Sequence, residues 1–357
     1  MIERATGGRW VLHVDLDQFI AAVEVLRRPE LAGLPVVVGG RGDPTERGVV
    51  STASYEAREF GVGSGMPLRI AARKCPEAVF LAVDAPAYDA ASARVMGTLR
   101  RLEWGKRPIV VEVLGWDEAF VGAELDDPWE FAEHIRAEVL AATRLRCSVG
   151  IGNNKLQAKI ATDFGKPDPG VYRITDETWF EEMGERPTRA LWGIGGKTAA
   201  KLAALGIDTV AQLATSDARL LAAELGPTMG PWFHRLGRGG DTSPVDATPW
   251  VARAHGREET FQEDIEDWAE VEASVRRITR RVVRDIDREG RPAFRVGLKL
   301  RYRPFFTISR SHKLPAPTND PDVLADAVAA LLDRVEKDRP VRLLGVRLEM
   351  VEPPGGY

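Results

Sequence analysis

The sequence predicts an α+β protein with several domains. Its 357 residues are enough for two or more hydrophobic cores. Short β-rich runs alternate with amphipathic helical stretches along the chain, which is the pattern of mixed layers of helices and sheets. Residues 237–249 are rich in Gly, Asp, Ser, Thr and Pro, a composition typical of an interdomain linker. A separate series of strands and helices, a C-terminal β/α module, follows this stretch.

The composition is that of an ordinary globular protein, with 44% hydrophobic and 29% charged residues. No apolar run approaches the ~20 residues that span a bilayer. Residues 1–4 lead directly into the first predicted strand, without the features of a secretory signal. The two cysteines, Cys75 and Cys147, form neither a disulfide framework nor a metal motif, so we expect reduced core residues. We therefore expect a cytoplasmic protein with no membrane association. Separately, we expect a monomer.

The first predicted strand covers residues 10–17 and ends on two carboxylates. Asp15 and Asp17 are two residues apart, so on a strand their side chains face the same way. Two anions roughly 7 Å apart repel each other unless a cation lies near them. A single pair of this kind is typical of a solvated strand end, and only a second acidic motif changes that interpretation.

The second acidic motif lies about a hundred residues later. Two β-rich runs over residues 109–114 and 119–121 flank Gly115-Trp116-Asp117-Glu118, which predicts a hairpin. Adjacent acids at a hairpin tip can converge on one site because the turn breaks strict alternation. We hypothesise that Asp15, Asp117 and Glu118 meet and hold two divalent cations, Mg²⁺ or Mn²⁺, which prefer oxygen ligands.

The other elements of the N-terminal part follow from periodicity and turn residues. Strands are predicted over residues 35–40, 49–54, 79–83 and 147–152, and helices over 19–26, 55–61, 66–76, 88–103 and 129–144. Tyr55 and Arg58 are three residues apart and would project from one helix face. That face is either solvated or directs two donors at an anion.

Three lysines follow the Gly-x-Gly turn that ends the strand at 147–152. Lys155 and Lys159 lie on an amphipathic segment over residues 153–164, and Lys166 precedes a proline in the next loop. Each lysine alone is typical of a solvated surface. Beside a metal site, Lys166 becomes a candidate contact for a phosphate group.

Residues 191–207 contain the Gly-hydrophobic-Gly turn of a helix-hairpin-helix. The glycines Gly193 and Gly195 allow close approach of a phosphate, and the next helix, which begins near Lys197, offers free N–H groups. Such a unit holds a nucleic-acid backbone without reading its sequence. The alternative is an ordinary tight turn between packed helices.

In the C-terminal module we predict strands at 251–261, 293–303, 305–313 and 341–351, with helices at 267–289 and 321–336. Alternation in 294–303 places apolar residues on one face and four cations on the other: Arg295, Lys299, Arg301 and Arg303. Residues 288–313 carry a charge of +7 in a chain with a net charge of −4. This favours a polyanionic ligand. A solvated face is the alternative, although it would usually mix signs.

Several of these segments together resemble the Y-family translesion DNA polymerases of the DinB (DNA polymerase IV) type. The matching segments are residues 14–19, 54–62, 115–120, 148–155 and 166–167. Their order and spacing match over essentially the whole chain. The resemblance implies a right-hand polymerase with a helical thumb. Its implied domains are a palm at 1–18 and 83–174, fingers at 19–82, a thumb at 175–240, a linker at 241–250 and a little finger at 251–357.

The resemblance also implies roles for individual residues. The implied metal ligands are Asp15, the backbone carbonyl of Leu16, Asp117 and Glu118, whereas Asp17 matches an aspartate that is not usually a ligand. The implied nucleotide contacts are Phe19, Ile20, Thr52, Tyr55, Arg58 and Lys166. In the implied reaction a primer 3′-hydroxyl attacks the α-phosphorus of a nucleoside triphosphate. One metal lowers the pKa of the hydroxyl and the other neutralises the leaving pyrophosphate, while cationic side chains balance developing charge.

Ile20 departs from the family pattern. The matching residue is usually Tyr or Phe, whose ring lies under the incoming sugar and clashes with a 2′-hydroxyl. Because Ile20 is shorter and branched, we expect weak sugar discrimination and use of ribonucleotides beside deoxynucleotides. The alternative is that Phe19, or a backbone shift, restores the clash.

The tail also departs from the pattern of many relatives. Residues 351–357 contain no glutamine-plus-aromatic peptide of the kind that binds a sliding clamp. We therefore do not expect clamp binding through the tail, and an internal site stays open.

Two other functions share part of this pattern. A nucleotidyl cyclase uses acids and two metals on a triphosphate, but has no use for a helix-hairpin-helix or a strongly basic strand. A catalytically inactive DNA-binding scaffold would keep the basic surfaces, although the three acids are intact. Primer extension separates these possibilities from a polymerase that acts on primer-template DNA.

Overall fold

The computed structural model describes residues 8–105 and 107–357, which divide into two compact units. The first unit contains the described residues up to 43 together with 49–249. The second contains 44–48 and 250–357. Residues 1–7, which we assigned to the palm, lie outside the described residues. The further division of the first unit into palm, fingers and thumb stays a prediction.

The first unit contains eight described strands and eleven described α-helices, which follow one another along the chain. The strands are β1 (Gly8–Leu16), β2 (Val36–Val38), β3 (Thr52–Ala53), β4 (Val79–Leu81), β5 (Ile109–Val113), β6 (Glu118–Leu125), β7 (Cys147–Gly152) and β8 (Val171–Arg173). The helices are α1 (Phe19–Arg27), α2 (Tyr55–Glu59), α3 (Leu68–Lys74), α4 (Ala85–Arg100), α5 (Pro128–Thr143), α6 (Lys155–Gly165), α7 (Trp179–Met183), α8 (Gly196–Ala204), α9 (Val210–Thr215), α10 (Ala218–Leu225) and α11 (Met229–Gly237).

The central sheet has the strand order β5-β6-β1-β7-β8, with β1 antiparallel to both of its neighbours. Leu12, Val14 and Leu16 of β1 are buried in the core that the sheet shares with α4 and α5. The alternate residues His13 and Asp15 point to the opposite face, where helix α6 packs. The polar residues of β1 therefore lie on the α6 side of the sheet.

Helix α6 packs closely on this face because β7 carries a glycine at the contact. A Cβ atom at Gly150 would lie 2.0 Å from the carbonyl oxygen of Ala158 and 2.4 Å from the backbone nitrogen of Thr162. We expect Gly150→Ala to lower the free energy of unfolding by about 1–3 kcal/mol, since helix and strand must separate. Urea unfolding measures this difference.

The control for this substitution is Gly63→Ala, because no atom lies within 4 Å of a Cβ placed at Gly63. Its unfolding midpoint should stay at the wild-type value. Equal midpoints for the two variants would contradict the close packing of α6 on β7.

A second, three-stranded sheet has the order β3-β2-β4 and packs with α2 and α3 around a core of its own. The strand predicted over 49–54 is shortened to two residues in β3. The reason is that the N–H of Val50 donates to the carbonyl of Met66 at 2.8 Å and not to a strand. Helices α7 to α11 pack with α6 around a further core that contains Trp179, Leu202 and Leu213.

The second unit is a four-stranded antiparallel sheet covered on one face by helices. Its elements are β9 (Ala254–Ile265), α12 (Trp268–Glu289), β10 (Ala293–Tyr302), β11 (Thr307–Thr318), α13 (Pro321–Ala329) and β12 (Val341–Met350). The strand order is β11-β10-β12-β9. The helix predicted at 321–336 changes into a 3₁₀ turn, Ala330–Arg334, after α13. Residues 44–48 join this unit, with Arg47 paired to Asp264 and its N–H donating to Gln262 at 2.7 Å.

The segment that we expected to be a linker has no regular secondary structure over residues 241–250, and part of it contacts the central sheet. The side chain of Val245 packs beside Gly122 of β6. The N–H of Asp246 donates to the Glu112 carboxylate at 2.8 Å. The first half of the segment is therefore attached to the sheet.

Two smaller expectations concern the cysteines and the membrane. Cys75 and Cys147 are buried free thiols, as predicted. Within residues 8–105 and 107–357, no helix has both the length and the apolar character required to cross a bilayer.

Candidate active site

The ends of β1 and β6 place two acids side by side. Asp15 and Glu118 are directly opposite each other in the antiparallel register. With His13 they form a group of potential metal ligands, in which one ligand atom from each residue lies within 4.8 Å of the others. Asp117 lies outside this group, but burial and the nearby charge of Asp15 raise the pKa of its carboxyl. The backbone carbonyl of Asp117 accepts the N–H of Leu16 at 2.8 Å, which ties the hairpin tip to the end of β1.

Two lysines act as counter-ions for these acids. The Lys166 ammonium lies 2.7 Å from an oxygen of Asp15, and Lys159 is paired with Glu118. Contacts with His13 and Lys159 lower the pKa of the Glu118 carboxyl to about 2, so it is ionised at neutral pH. Carboxylate oxygens that are ionised and half-buried are ligands that Mg²⁺ and Mn²⁺ prefer. The donor set therefore fits hard divalent cations.

His13 is a residue of this site that the sequence analysis missed. It is buried, and its Nδ1 lies 2.8 Å from Thr162 Oγ1 on α6. Burial lowers the pKa of the imidazole. The signal was present, because a residue two positions before Asp15 on a strand faces the same side.

Asp17 lies beyond the end of β1, so strand alternation does not fix the direction of its side chain. Its carboxylate accepts hydrogen bonds from the hydroxyl of Ser148 at 2.8 Å and from the hydroxyl of Tyr55 at 3.3 Å. Burial raises the pKa of the carboxyl above its ordinary value. These contacts connect Asp17 to the start of helix α2.

Helix α2 presents Tyr55 and Arg58 together. The Arg58 guanidinium lies over the Tyr55 ring at 5.0 Å, and its Nε donates to the carbonyl of Ala53 at 2.9 Å. Ser54 caps the helix by accepting the N–H of Ala57. Arg58 is exposed.

The remaining candidate nucleotide contacts differ in burial. Phe19 is 2% exposed and lies inside the core of the central sheet. Ile20 is partly buried and packs against the same core. Thr52 is partly exposed in β3, where it pairs with Val38.

The predicted helix-hairpin-helix turn has the backbone conformation that glycine favours. Gly193 has φ +95°, and a Cβ there would lie 2.5 Å from the ring of Trp232. Gly195 is the N-cap of α8, and Lys197 is exposed in its first turn. The turn therefore requires a glycine at position 193 and presents a cation beside the helix N-terminus.

The cations of β10 have partners on other strands, contrary to the single-sign face that the alternation in 294–303 had indicated. Acids on other strands of the sheet lie beside them: Lys299 is 2.8 Å from Glu258 on β9, two strands away, and Arg295 is 3.5 Å from Glu349 on the adjacent β12. Arg303 lies 4.0 Å from Asp264, and Arg301 bonds to the hydroxyl of Thr307 at 2.9 Å. The face therefore carries both signs of charge. The sequence did not reveal this, because the cross-strand partners are far apart in the chain.

A groove of about 690 Å³ runs over this sheet face. Its lining contains more cations than acids. The charged and aromatic members are Trp250, Arg253, His255, Arg257, Glu258, Lys299, Arg310, Arg347 and Glu349. Trp250 is 82% exposed, which leaves an aromatic surface beside the cations.

Comparisons with known proteins agree over the length of the chain. The impB/mucB/samB family model matches residues 14–163, and the model of its C-terminal domain matches 252–356. A model described as the DNA polymerase-iota thumb domain matches residues 189–241. "DNA polymerase IV 2" of Mycobacterium bovis is 50% identical over 346 residues, which are 96% of this chain and 98% of the relative.

Solved structures give the same result. The "Y-family DNA polymerase chimera Dbh-Dpo4(243-245)-Dbh" superposes with a TM-score of 0.80 and 26% identity, covering 95% of this chain and 98% of the chimera. The "insertion ternary complex of Dbh DNA polymerase" has a TM-score of 0.63 and 26% identity, covering 96% of this chain and 99% of that chain. The fold and these matches define a Y-family DNA-directed DNA polymerase. Within that class, the chain belongs to the DNA polymerase IV (DinB) family.

Proposed function

We propose that the protein is a translesion-type polymerase that extends a DNA primer by two-metal nucleotidyl transfer. The observation that carries the proposal is the meeting of Asp15 and Glu118 at adjacent strand ends, with Asp117 at the tip of the same hairpin. Distant parts of the chain supply these acids, and a solvated strand end would not require lysine counter-ions on both. The Y-family relatives and the ternary complex support primer-template DNA and a nucleoside triphosphate as ligands.

The carboxylates of Asp15, Asp117 and Glu118, with the backbone carbonyl of Leu16, would hold two divalent cations, either Mg²⁺ or Mn²⁺. When bound, the cations would lower the pKa of the primer 3′-hydroxyl and neutralise the leaving pyrophosphate. The ionised state of Glu118 favours this role, because no proton has to be displaced from it at neutral pH.

Lys166 has two tasks in this proposal. Without a cation, its ammonium neutralises Asp15 at 2.7 Å. Cation binding to Asp15 would release the ammonium, which would then contact the triphosphate. Tyr55 and Arg58 would bind the same anion from helix α2, where the exposed guanidinium supplies a planar donor fork. Thr52 lies on β3, shortly before these two residues.

We also propose weak discrimination between ribose and deoxyribose. Ile20 is partly buried at the start of α1, and an isoleucine lacks the planar ring that excludes a 2′-hydroxyl. The burial of Phe19 in the core supports this, because a ring packed there is not free to replace the missing one. Both dNTP and rNTP would therefore be substrates.

The protein would bind DNA through its backbone, without recognising the base sequence. The turn with Gly193, Gly195 and Lys197 would bind a backbone phosphate at the N-terminus of α8. On the second unit, Arg295, Lys299, Arg301 and Arg303 would contact phosphates together with the other cations of the groove. The acids among them reduce the net charge but leave the lining positive. We expect the protein to act as a monomer.

Primer extension on a DNA template tests the proposal. With dNTPs and either Mg²⁺ or Mn²⁺ the primer should lengthen according to the template, and a chelator should stop the reaction. A nucleotidyl cyclase would consume nucleotide without a template. A DNA-binding scaffold would shift the DNA without extending the primer, and either result would overturn the proposal.

A further inference from the structure

His13 lies between helix α6 and the acids, and its ring has a fixed orientation. The side chain is 1% exposed. Its Nδ1 lies 2.8 Å from Thr162 Oγ1, and its Nε2 lies 3.1 Å from Glu118 Oε2 and 3.3 Å from Lys159 Nζ. Both ring nitrogens of this buried imidazole are therefore within hydrogen-bond distance of polar groups, which fixes the plane of the ring.

The carboxylate of Glu118 identifies the nitrogen that carries the proton. A carboxylate oxygen has no hydrogen to donate, so the neutral ring donates from Nε2–H to Oε2 of Glu118 at 3.1 Å. Nδ1 then carries the lone pair and accepts the hydroxyl hydrogen of Thr162 at 2.8 Å.

The Lys159 ammonium is held on several sides. It donates to Glu118, lies 3.3 Å from His13 Nε2 and faces the Trp192 ring with 5.5 Å to the centroid. The ammonium and the imidazole both contact the same carboxylate oxygen, Oε2 of Glu118.

We propose that His13 is a positioning residue of the polymerase site that holds the carboxylate of Glu118. The imidazole, anchored by Thr162, donates to Oε2 and leaves the other carboxylate oxygen open to a divalent cation. This inference rests on the proposed role of Glu118 as a metal ligand. Replacing a side chain that hydrogen-bonds to a metal ligand typically lowers metal affinity by about 10–100-fold.

Binding of Mn²⁺ to the full chain without DNA or nucleotide tests the proposal, with electron paramagnetic resonance reporting the free ion. His13→Phe should weaken the affinity about 10-fold or more, because Glu118 then loses the donor that orients its carboxylate. Thr162→Val keeps the shape of the side chain, loses the hydroxyl and should weaken the affinity in the same direction. Thr162→Ser restores the hydroxyl and should bind Mn²⁺ like the wild type.

A double-mutant cycle separates a direct hold on Glu118 from an effect through Lys159. Lys159→Met should bind Mn²⁺ more tightly than the wild type, because a cation next to a ligand is removed. Adding His13→Phe to Lys159→Met should still weaken binding, since Nε2–H reaches Glu118 without the ammonium. Lys155→Met is the matched control: Lys155 lies on the same helix, but its ammonium is 2.5 Å from Glu112. Its Mn²⁺ affinity should equal that of the wild type.

The outcomes distinguish the two proposals. If the wild type binds no Mn²⁺, the two-metal proposal fails. If the wild type binds Mn²⁺ and both His13→Phe and Thr162→Val bind it equally well, the positioning role is overturned. The same holds if His13→Phe weakens binding in the wild type but not in Lys159→Met. Circular dichroism confirms folding, and if His13→Phe does not fold, the comparison of Thr162→Val with Thr162→Ser decides.

Discussion

Glu118→Gln should reduce kcat for primer extension by at least about 10²–10³-fold, and Asp15→Asn should do the same. Each substitution keeps the size of the side chain and removes one negative charge from the acidic site. The two residues are opposite each other in the β1–β6 register, so neither can replace the other on a shared cation. Binding of primer-template DNA should change little, since the proposed DNA contacts lie elsewhere. Steady-state kinetics with DNA affinity measured separately checks both statements.

The control is Asp126→Asn, which removes an acid just beyond the other end of β6. Asp126 is exposed and paired with Arg107 at 2.9 Å on the surface, away from the acidic site. An exposed pair of this type contributes little, about 0–1 kcal/mol, so activity should stay at the wild-type level. A Glu118→Gln enzyme that extends primers as fast as Asp126→Asn would refute the two-metal proposal.

The acidic site could be largely anticipated from sequence because its geometry follows from local rules. A strand that ends at Asp15 and a hairpin with Glu118 at its tip leave few ways to arrange neighbouring strands. His13 was missed for a different reason. A lone histidine in an apolar strand is compatible with ordinary core packing, and its partners Lys159 and Thr162 come from a helix about 150 residues later.

The basic strand shows why pairing across a sheet escapes such reasoning. The alternation in β10 was read correctly for Val296, Leu298 and Leu300, which are buried. The partner of Lys299, however, is Glu258, 41 residues earlier on a strand that is two positions away in the sheet order. The charge of one strand therefore says little about the charge of the face, which depends on register between strands distant in sequence.

The attachment of the linker segment to the sheet also escaped prediction, because it depends on two segments that are distant in sequence. Its composition predicted the absence of regular structure correctly, but composition does not encode where a loop packs. Val245 finds space beside β6 because Gly122 has no side chain there. That complementarity exists only once both segments are folded, and 123 residues separate them in the chain.

Ile20→Tyr should raise the preference for deoxynucleotides over ribonucleotides by roughly 10- to 200-fold, the range that one steric contact in a pocket provides. The new ring would occupy the space beside the sugar and clash with a 2′-hydroxyl. The effect should appear as a fall in kcat/KM for the ribonucleotide, with the value for its deoxy counterpart nearly unchanged. Single-nucleotide incorporation opposite the same template base, with both sugars, measures the ratio.

The control is Ile20→Val, which removes one methylene and adds no ring, so it should leave the sugar preference at the wild-type level. Phe19 cannot supply the missing contact by a rotamer change alone, because its ring is 2% exposed and surrounded by the core of the central sheet. A backbone shift of α1 would have to move this ring out of a close-packed interior, which is costly. A wild-type preference for deoxynucleotides as strong as that of Ile20→Tyr would show that such a shift occurs, and the sugar proposal would then be wrong.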